Sequence, residues 1–352
     1  MYEMGKLLKM VVEKNASDLH ITAGTPPQIR IDEKLFNAGE QMLMPDETKR
    51  LSYGLLNQEE IKEFEQNLEL DTSFGIEGLS RFRVNIYQQR EAVGCAIRRI
   101  PFEIRSLEQC GLPVKVVTHF CHKGKGLVLV TGATGSGKST SLAAMLNMIN
   151  QERRCHIITV EDPIEYTFRN IKAIIEQREV GKDTHSFSEA LRHVLRQDPD
   201  VILIGEMRDL ETVQAALNIA ETGHLVFATL HTSDCVQTVN RIVDIFPAHQ
   251  QQQIRTQLSF VLLGILSQQL IPKPGGGRIL ATEVLAANHA VRSLIREAKT
   301  HQIYSVIQTA QKEGMSTMNQ ALYELVLRNV ISQDEAMLRT TEPKDLERLF
   351  KR

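Results

Sequence analysis

The sequence predicts an α/β protein in two parts, a small mixed unit followed by a larger domain built on a parallel sheet. Three observations carry this. Before about residue 100, helical stripes and alternating strand patterns are interleaved. Beyond about residue 114, short apolar runs alternate with longer helical runs, as strands buried on both faces of a parallel sheet do. Between them, Pro101 and the stretch Glu108 to Pro113 break both patterns, which places a linker over 101–113 between units 1–100 and 114–352.

In the first unit, Leu7, Leu8, Val11 and Val12 make a helical stripe. Ile29, Ile31 and Leu35 alternate as one half-buried strand would. Pro45-Asp46-Glu47 opens a helix running through Leu51, Leu55 and Leu56, with proline and acids in its first turn. Arg81 to Tyr87 and Cys95 to Ile97 read as paired strands. In the second unit the strands are Leu127–Val130, Ile157–Val160, Val201–Ile204 and Leu225–Leu230, and the C-terminal stretch reads mostly as helices.

Composition fits a soluble globular chain of 352 residues, 42% hydrophobic and 24% charged. The balance of 41 Lys+Arg against 43 Asp+Glu, net −2, argues against a surface that grips nucleic acid as a whole. Five scattered cysteines (Cys95, Cys110, Cys121, Cys155, Cys235) without a C-x-x-C pair disfavour a disulfide framework or structural zinc. Met1 to Val12 lacks the apolar core of a signal peptide, and the run Phe260 to Leu266 is far shorter than the ~20 residues that span a bilayer. A cytoplasmic protein that meets membranes through a partner is expected.

After the strand 127–130 comes Gly132-Ala133-Thr134-Gly135-Ser136-Gly137-Lys138-Ser139, followed by Thr140, a full match to G-x-x-x-x-G-K-[ST]. Glycines let the backbone turn its N–H groups onto phosphate oxygens, and the helix behind adds its positive end. Leu142, Met145, Leu146 and Ile149 supply that helix. Lys138 would meet the β- and γ-phosphates and the Ser139 hydroxyl would bind Mg²⁺, so the ligands implied are ATP and Mg²⁺.

Open α/β sheets hold ligands at the carboxyl ends of their strands. Glu161, Asp162 and Glu165 follow one strand, Gly205 and Glu206 another, and His231 a third, with His224 just before it. Gly205 occupies the place of the usual strand-end aspartate, so the metal's carboxylate is expected from Glu161–Asp162, through water. Glu206 and Glu165 compete to orient or deprotonate the attacking water. His224 and His231 are candidates to sense the γ-phosphate, against the ordinary alternative of a hydrogen-bonded structural histidine.

These pieces together resemble the type II/IV secretion and pilus ATPase superfamily: the Walker A loop, Thr159 to Glu165 as an Asp box, Asp200 to Asp209 as an atypical Walker B, and Thr222 to Thr232 as a His box. The Gly-Glu departure is that superfamily's own pattern. Within it the chain resembles the pilus-retraction branch, through Ser17-Asp18-Leu19-His20 with Pro26 to Arg30, through Ala290-Val291-Arg292-Ser293-Leu294-Ile295-Arg296-Glu297, and through the missing tetracysteine zinc element. The resemblance runs to about residue 330.

The resemblance implies a PAS-like N-terminal domain and a RecA-like P-loop ATPase domain ending in C-terminal helices. It implies six copies in a ring, and ATP between the domains. Arginines of the first domain then approach the phosphates: Arg83 and Arg98 by position, Arg81 and Arg90 more weakly. An inserted arginine offsets charge that builds on the γ-phosphoryl oxygens. In the 290–297 motif, Leu294 and Ile295 should pack inward with Arg292, Arg296 and Glu297 outward. The implied work is type IV pilus retraction and twitching motility, on an inner-membrane platform protein, with no direct nucleic-acid contact and no membrane insertion. The rival readings are a pilus-assembly or type II secretion ATPase and a RecA-like nucleic-acid translocase.

Overall fold

The structure, a computed structural model, describes residues 2–31, 34–76, 78–100 and 104–351. The chain divides into two compact units, Met1–Glu103 and Ile104–Arg352. Among the described residues the first unit holds helices α1 (Met4–Glu13), α2 (Pro45–Tyr53) and α3 (Gln58–Asn67). Its strands are β1 (Asp18–Ile21), β2 (Gln28–Ile31), β3 (Lys34–Asn37), β4 (Glu69–Ile76), β5 (Ser80–Gln89) and β6 (Ala92–Ile100). They form one antiparallel sheet in the order β3-β2-β1-β6-β5-β4.

Burial alternates along β5: Ser80, Phe82, Val84 and Ile86 are buried, while Arg81, Arg83, Asn85 and Tyr87 are not. Leu7, Leu8, Val11, Leu51 and Phe64 from the helices join the buried side in one core. The single strand expected through Ile29, Ile31 and Leu35 is instead the pair β2 and β3, antiparallel to each other. The helix expected to reach Leu56 stops at Tyr53, where the carbonyls of Ser52 and Tyr53 receive the N–H groups of Leu55 and Leu56 in turns.

Of the expected linker, 101–103 lie outside the described residues. From Ile104 onward it belongs to the second unit, where Leu107 and Leu112 are buried. Two apolar anchors fix that stretch to the second unit's core while its polar and breaker residues stay largely exposed.

The second unit alternates α4 (Val114–Cys121), β7 (Gly126–Thr131), α5 (Lys138–Glu152), β8 (His156–Glu161), β9 (Ile174–Glu179), α6 (Phe187–Val194), β10 (Val201–Ile204), α7 (Leu210–Glu221), β11 (Leu225–Leu230), α8 (Cys235–Asp244) and α9 (Ala248–Val261). A hairpin follows, β12 (Leu262–Pro272) and β13 (Arg278–Ala286), then α10 (His289–Arg296), α11 (Ile303–Thr309), α12 (Met318–Leu327), α13 (Gln333–Arg339) and α14 (Pro343–Phe350). The sheet order is β13-β12-β7-β11-β10-β8-β9, parallel except for the edge strand β13.

β7, β10 and β11 are buried along their whole length, and helices cover both faces. The C-terminal stretch is helical only from His289, because Leu262–Ala286 adds two strands beside the P-loop strand. The run Phe260 to Leu266 spans the end of α9 and the start of β12. Among the described residues no helix is long and apolar enough to cross a membrane.

Candidate functional site

β7 is buried at all six positions and delivers the chain to the carboxyl edge of the sheet, where it turns into Gly132–Ser139. Gly132, Gly135 and Gly137 have φ of 140°, 79° and 90°, a region L side chains rarely adopt. At Gly132 even a methyl group would strike the Gln268 carbonyl and the Ser136 hydroxyl. Glycine there lets the loop close against β12. Ala133, Thr134, Gly135 and Ser139 are exposed, while Ser136 is buried with an unpartnered hydroxyl, as is Thr131 below it.

Lys138 opens α5 and arches back, its Nζ donating to the carbonyls of Gly132 (2.8 Å) and Ala133 (3.1 Å). Burial pulls its pKa down, and the charge of Glu206 pulls the other way. The loop, the unpartnered hydroxyls and the ammonium form a cradle of donors suited to phosphate. Among the described residues no group of three or more His, Cys, Asp or Glu is placed to hold a metal. A Mg²⁺ ion near Ser139 would therefore complete its shell with phosphate oxygens and water, as this ion usually does.

Glu206 follows β10 at the same edge. Arg208 Nη2 lies 2.8 Å from its Oε2 and His231 Nε2 lies 3.2 Å from its Oε1. Burial pushes the Glu206 carboxyl up, but the Arg208 hydrogen bond and the charges of His231 and Arg208 outweigh it and hold it below the usual range. Parallel pairing of β10 with β11 brings Glu206 and His231 to the same edge, Glu206 two residues beyond the end of β10 and His231 directly after β11.

The other expected residues are distributed differently. Asp162 and Glu165 are exposed, with Asp162 close enough for its charge to act on Arg208. Glu161 is buried, its Oε1 accepting from Thr159 Oγ1 (2.6 Å) and Gln177 Nε2 (3.3 Å), and burial raises its pKa. Of the Glu161–Asp162 segment expected to supply the metal's carboxylate through water, Glu161 is buried and Asp162 is exposed.

His224 is corrected. It precedes β11, and its carbonyl accepts from Gly126 N at the amino end of β7. The P-loop leaves the opposite end, roughly 20 Å away at ~3.3 Å per residue. Its ring is held by Ile219 O (3.1 Å) and Thr222 Oγ1 (3.3 Å), the structural alternative. Within this chain His224 does not meet the phosphate loop.

In the first unit, Arg83 and Arg98 are paired directly across β5 and β6, so they share one sheet face. Arg98 Nε lies 2.8 Å from Asp18 Oδ1, and Arg83 lies 4.0 Å from Asp71. Arg81 donates to Ser73 Oγ (2.8 Å), and Arg90 is in the β5–β6 turn with φ of 44°.

Residue patterns did not reveal four participants. Arg208 was inside the quoted Walker B stretch, with no signal separating it from an ordinary surface arginine. Tyr166 joins the Asp-box loop to α5 through its hydroxyl, 2.8 Å from Thr140 Oγ1. Gln177 on β9 holds Glu161 and the Tyr166 carbonyl. Gln268 on β12 is buried against the loop and donates to Ser141 Oγ (2.8 Å).

A P-loop on a parallel sheet, with a strand-end glutamate gripped by arginine and histidine, defines a nucleotide-binding P-loop protein. The chain belongs to the family described as type II/IV secretion system protein, whose profile matches residues 3–276. It is 45% identical to the type IV pilus retraction ATPase PilT of Pseudomonas aeruginosa, covering 97% of this chain and 99% of that one. It is 42% identical to a twitching motility protein of Neisseria gonorrhoeae, covering 98% and 92%. A crystal structure of the pilus retraction motor PilT with bound ADP superposes with a TM-score of 0.93 at 50% identity, covering 99% of this chain and all of that one.

Proposed function

We propose that this protein is an ATP-hydrolysing motor that powers type IV pilus retraction, and so twitching motility. The observation that carries it is the complete phosphate cradle facing a charge-gripped Glu206, in a chain that matches a named retraction ATPase over nearly its full length.

In this reading the backbone N–H groups of Gly132–Thr140 hold the phosphates of ATP. Lys138 leaves the loop carbonyls to meet the β- and γ-oxygens. Ser139 is the protein's ligand to Mg²⁺, which when bound offsets charge on those oxygens. Glu206 is kept ionised by Arg208 and His231 and so can accept a hydrogen bond from the attacking water. That favours it over the exposed Glu165 as the orienting base. Asp162 supports the metal's waters, and His231 reports the state of the γ-phosphate.

The proposal extends to the assembly. The first unit is read as a PAS-like domain and the second, from Ile104 onward, as a RecA-like domain. Arg83 and Arg98 are the first unit's contribution to transition-state charge. Six copies form the working ring, at the inner face of the cytoplasmic membrane, on a pilus platform protein. A net charge of −2 supports a protein target rather than nucleic acid.

Lys138→Ala should abolish ATP turnover in a protein with unchanged circular dichroism; undiminished turnover would overturn the site. Deleting the gene should leave cells with excess surface pili and no twitching. Cells without pili would indicate an assembly motor instead.

A further inference from the structure

Glu283 lies on β13, away from the phosphate loop in sequence, yet it is 3% exposed and accepts hydrogen bonds from two helices. The Cys235 N–H donates to its Oε1 (2.8 Å) and the Met318 N–H to its Oε2 (3.3 Å). Cys235 is the first residue of α8 and Met318 the first of α12. Both N–H groups belong to the orphan donors of a helix start. The neighbouring caps serve other donors: Asp234 accepts from Gln237 N, and Thr317 Oγ1 from Gln320 N. One carboxyl thus completes the ends of two helices.

Its position in the sheet gives this arrangement a direction. Glu283 pairs with Ser267 on β12, Ser267 with Thr131 on β7, and Thr131 with Leu230 on β11. This single row crosses the carboxyl edge of the sheet. Thr131 is the last residue before the phosphate loop, and Leu230 the last before His231. At ~4.8 Å per strand, Glu283 is two spacings, roughly 10 Å, from Thr131. Ser267 Oγ also donates to the Ser233 carbonyl (2.8 Å), inside the four-residue link from His231 to α8. On the far side, residues 316–318 are strapped to β13, with Val284 and Ser316 exchanging both backbone hydrogen bonds.

We propose that Glu283 is a positioning residue that couples the His231–Asp234 link to the C-terminal helices, fixing the start of α8, and with it His231 against Glu206, to the start of α12. This rests on reading the Glu206–His231 edge as the hydrolytic site. A displacement of α12 then reaches His231 through one carboxyl and a four-residue link. Burial raises the Glu283 pKa, while the Cys235 and Met318 donors oppose it.

Proline at the first helical position removes one N–H without breaking a helix, and Thr317 (φ −74°, ψ 160°) already has the conformation a following proline demands. Met318→Pro therefore cuts the α12 arm, and Met318→Ala controls for the lost side chain. Hydrogen–deuterium exchange over 231–240 should be faster in Met318→Pro than in Met318→Ala. Steady-state kinetics should show kcat falling several-fold more in the proline variant, with the KM for ATP unchanged. Glu283→Gln keeps shape and one acceptor but turns an amide toward a donor, and should show the same pattern. Equal exchange over 231–240 in the two Met318 variants overturns the coupling, as does faster exchange with equal kcat. If the unaltered protein turned over no ATP, the hydrolytic reading would fail, while the exchange comparison would still decide the coupling.

Discussion

Gly205 stands where many P-loop proteins carry an aspartate, and its surroundings explain the difference. A Cβ there would lie 3.1 Å from the Val160 carbonyl oxygen and 3.2 Å from the Glu161 Cα, both backbone atoms that cannot swing aside. Gly205 N also bonds Val160 O (2.8 Å), drawing β10 and β8 together at their ends. Gly205→Asp should therefore destabilise the second unit by ~1–3 kcal/mol, the cost typical of overpacking, read as a lower midpoint of thermal unfolding. An unchanged midpoint would mean the strands can part. Three residues on, Arg208→Ala should raise the Glu206 pKa, because it removes a cation that holds the carboxylate down. The acid limb of kcat/KM should move to higher pH, since that limb reports the free enzyme's base. Glu206 itself was legible in the sequence, because it follows an apolar strand in a P-loop context. Its partner Arg208 was not, because the turn after β10 brings it back, and that turn has no residue signature.

Helix α10 shows the same divide one level up. Of the two residues expected to pack inward, Ile295 is buried and Leu294 is half-buried against the same core, with Val291 buried as well. Arg292, expected to face out, instead turns in. It donates to Ala287 O, Ser259 O, Phe260 O and Leu262 O at 2.9–3.1 Å, satisfying the carbonyls where α9 ends and β12 begins. Arg296 is half-buried, beside the Phe260 ring and donating to Ser259 Oγ (3.3 Å), and Glu297 bonds Ser293 and Lys299. Arg292→Ala should cost roughly 1.5–3 kcal/mol, the worth of a charged hydrogen-bonding group, again read by thermal unfolding. Arg292→Lys should restore little of it, because an ammonium cannot spread over that fan of carbonyls. The strands β12 and β13 escaped the sequence reading for a related reason. Ser267 and Gln268 interrupt the apolar run, yet both are buried, bonded to Ser233 O and Ser141 Oγ. Polar side chains satisfied inside a sheet mimic the rhythm of a surface segment.

At the scale of the molecule, the division into a smaller and a larger unit was legible, because the periodicity changes across the breaker residues that follow residue 100. The edge of the sheet to which each histidine belongs was not legible from motifs, and parallel strand direction settles it: His231 lies at the loop edge and His224 at the other. For the first unit, the proposed role of its arginines makes a joint prediction. Arg83→Ala and Arg98→Ala should each lower kcat by a factor on the order of ten or more while leaving ATP affinity and the fold in place; unaltered kcat in both would remove them from the mechanism. Those arginines do not wait bare. Arg98 is clasped by Asp18, which also lies 3.8 Å from Arg30 and accepts from Ser17 Oγ (2.8 Å). When Arg98 departs, Asp18 is left in company. In the proposed role, engagement of an anion by Arg98 is then an exchange of one acceptor for another, made by a largely exposed arginine that leaves a buried carboxylate behind. In that proposed role Arg98 swaps one partner for another on each turnover, where an arginine gaining its first partner would tend to stay shut.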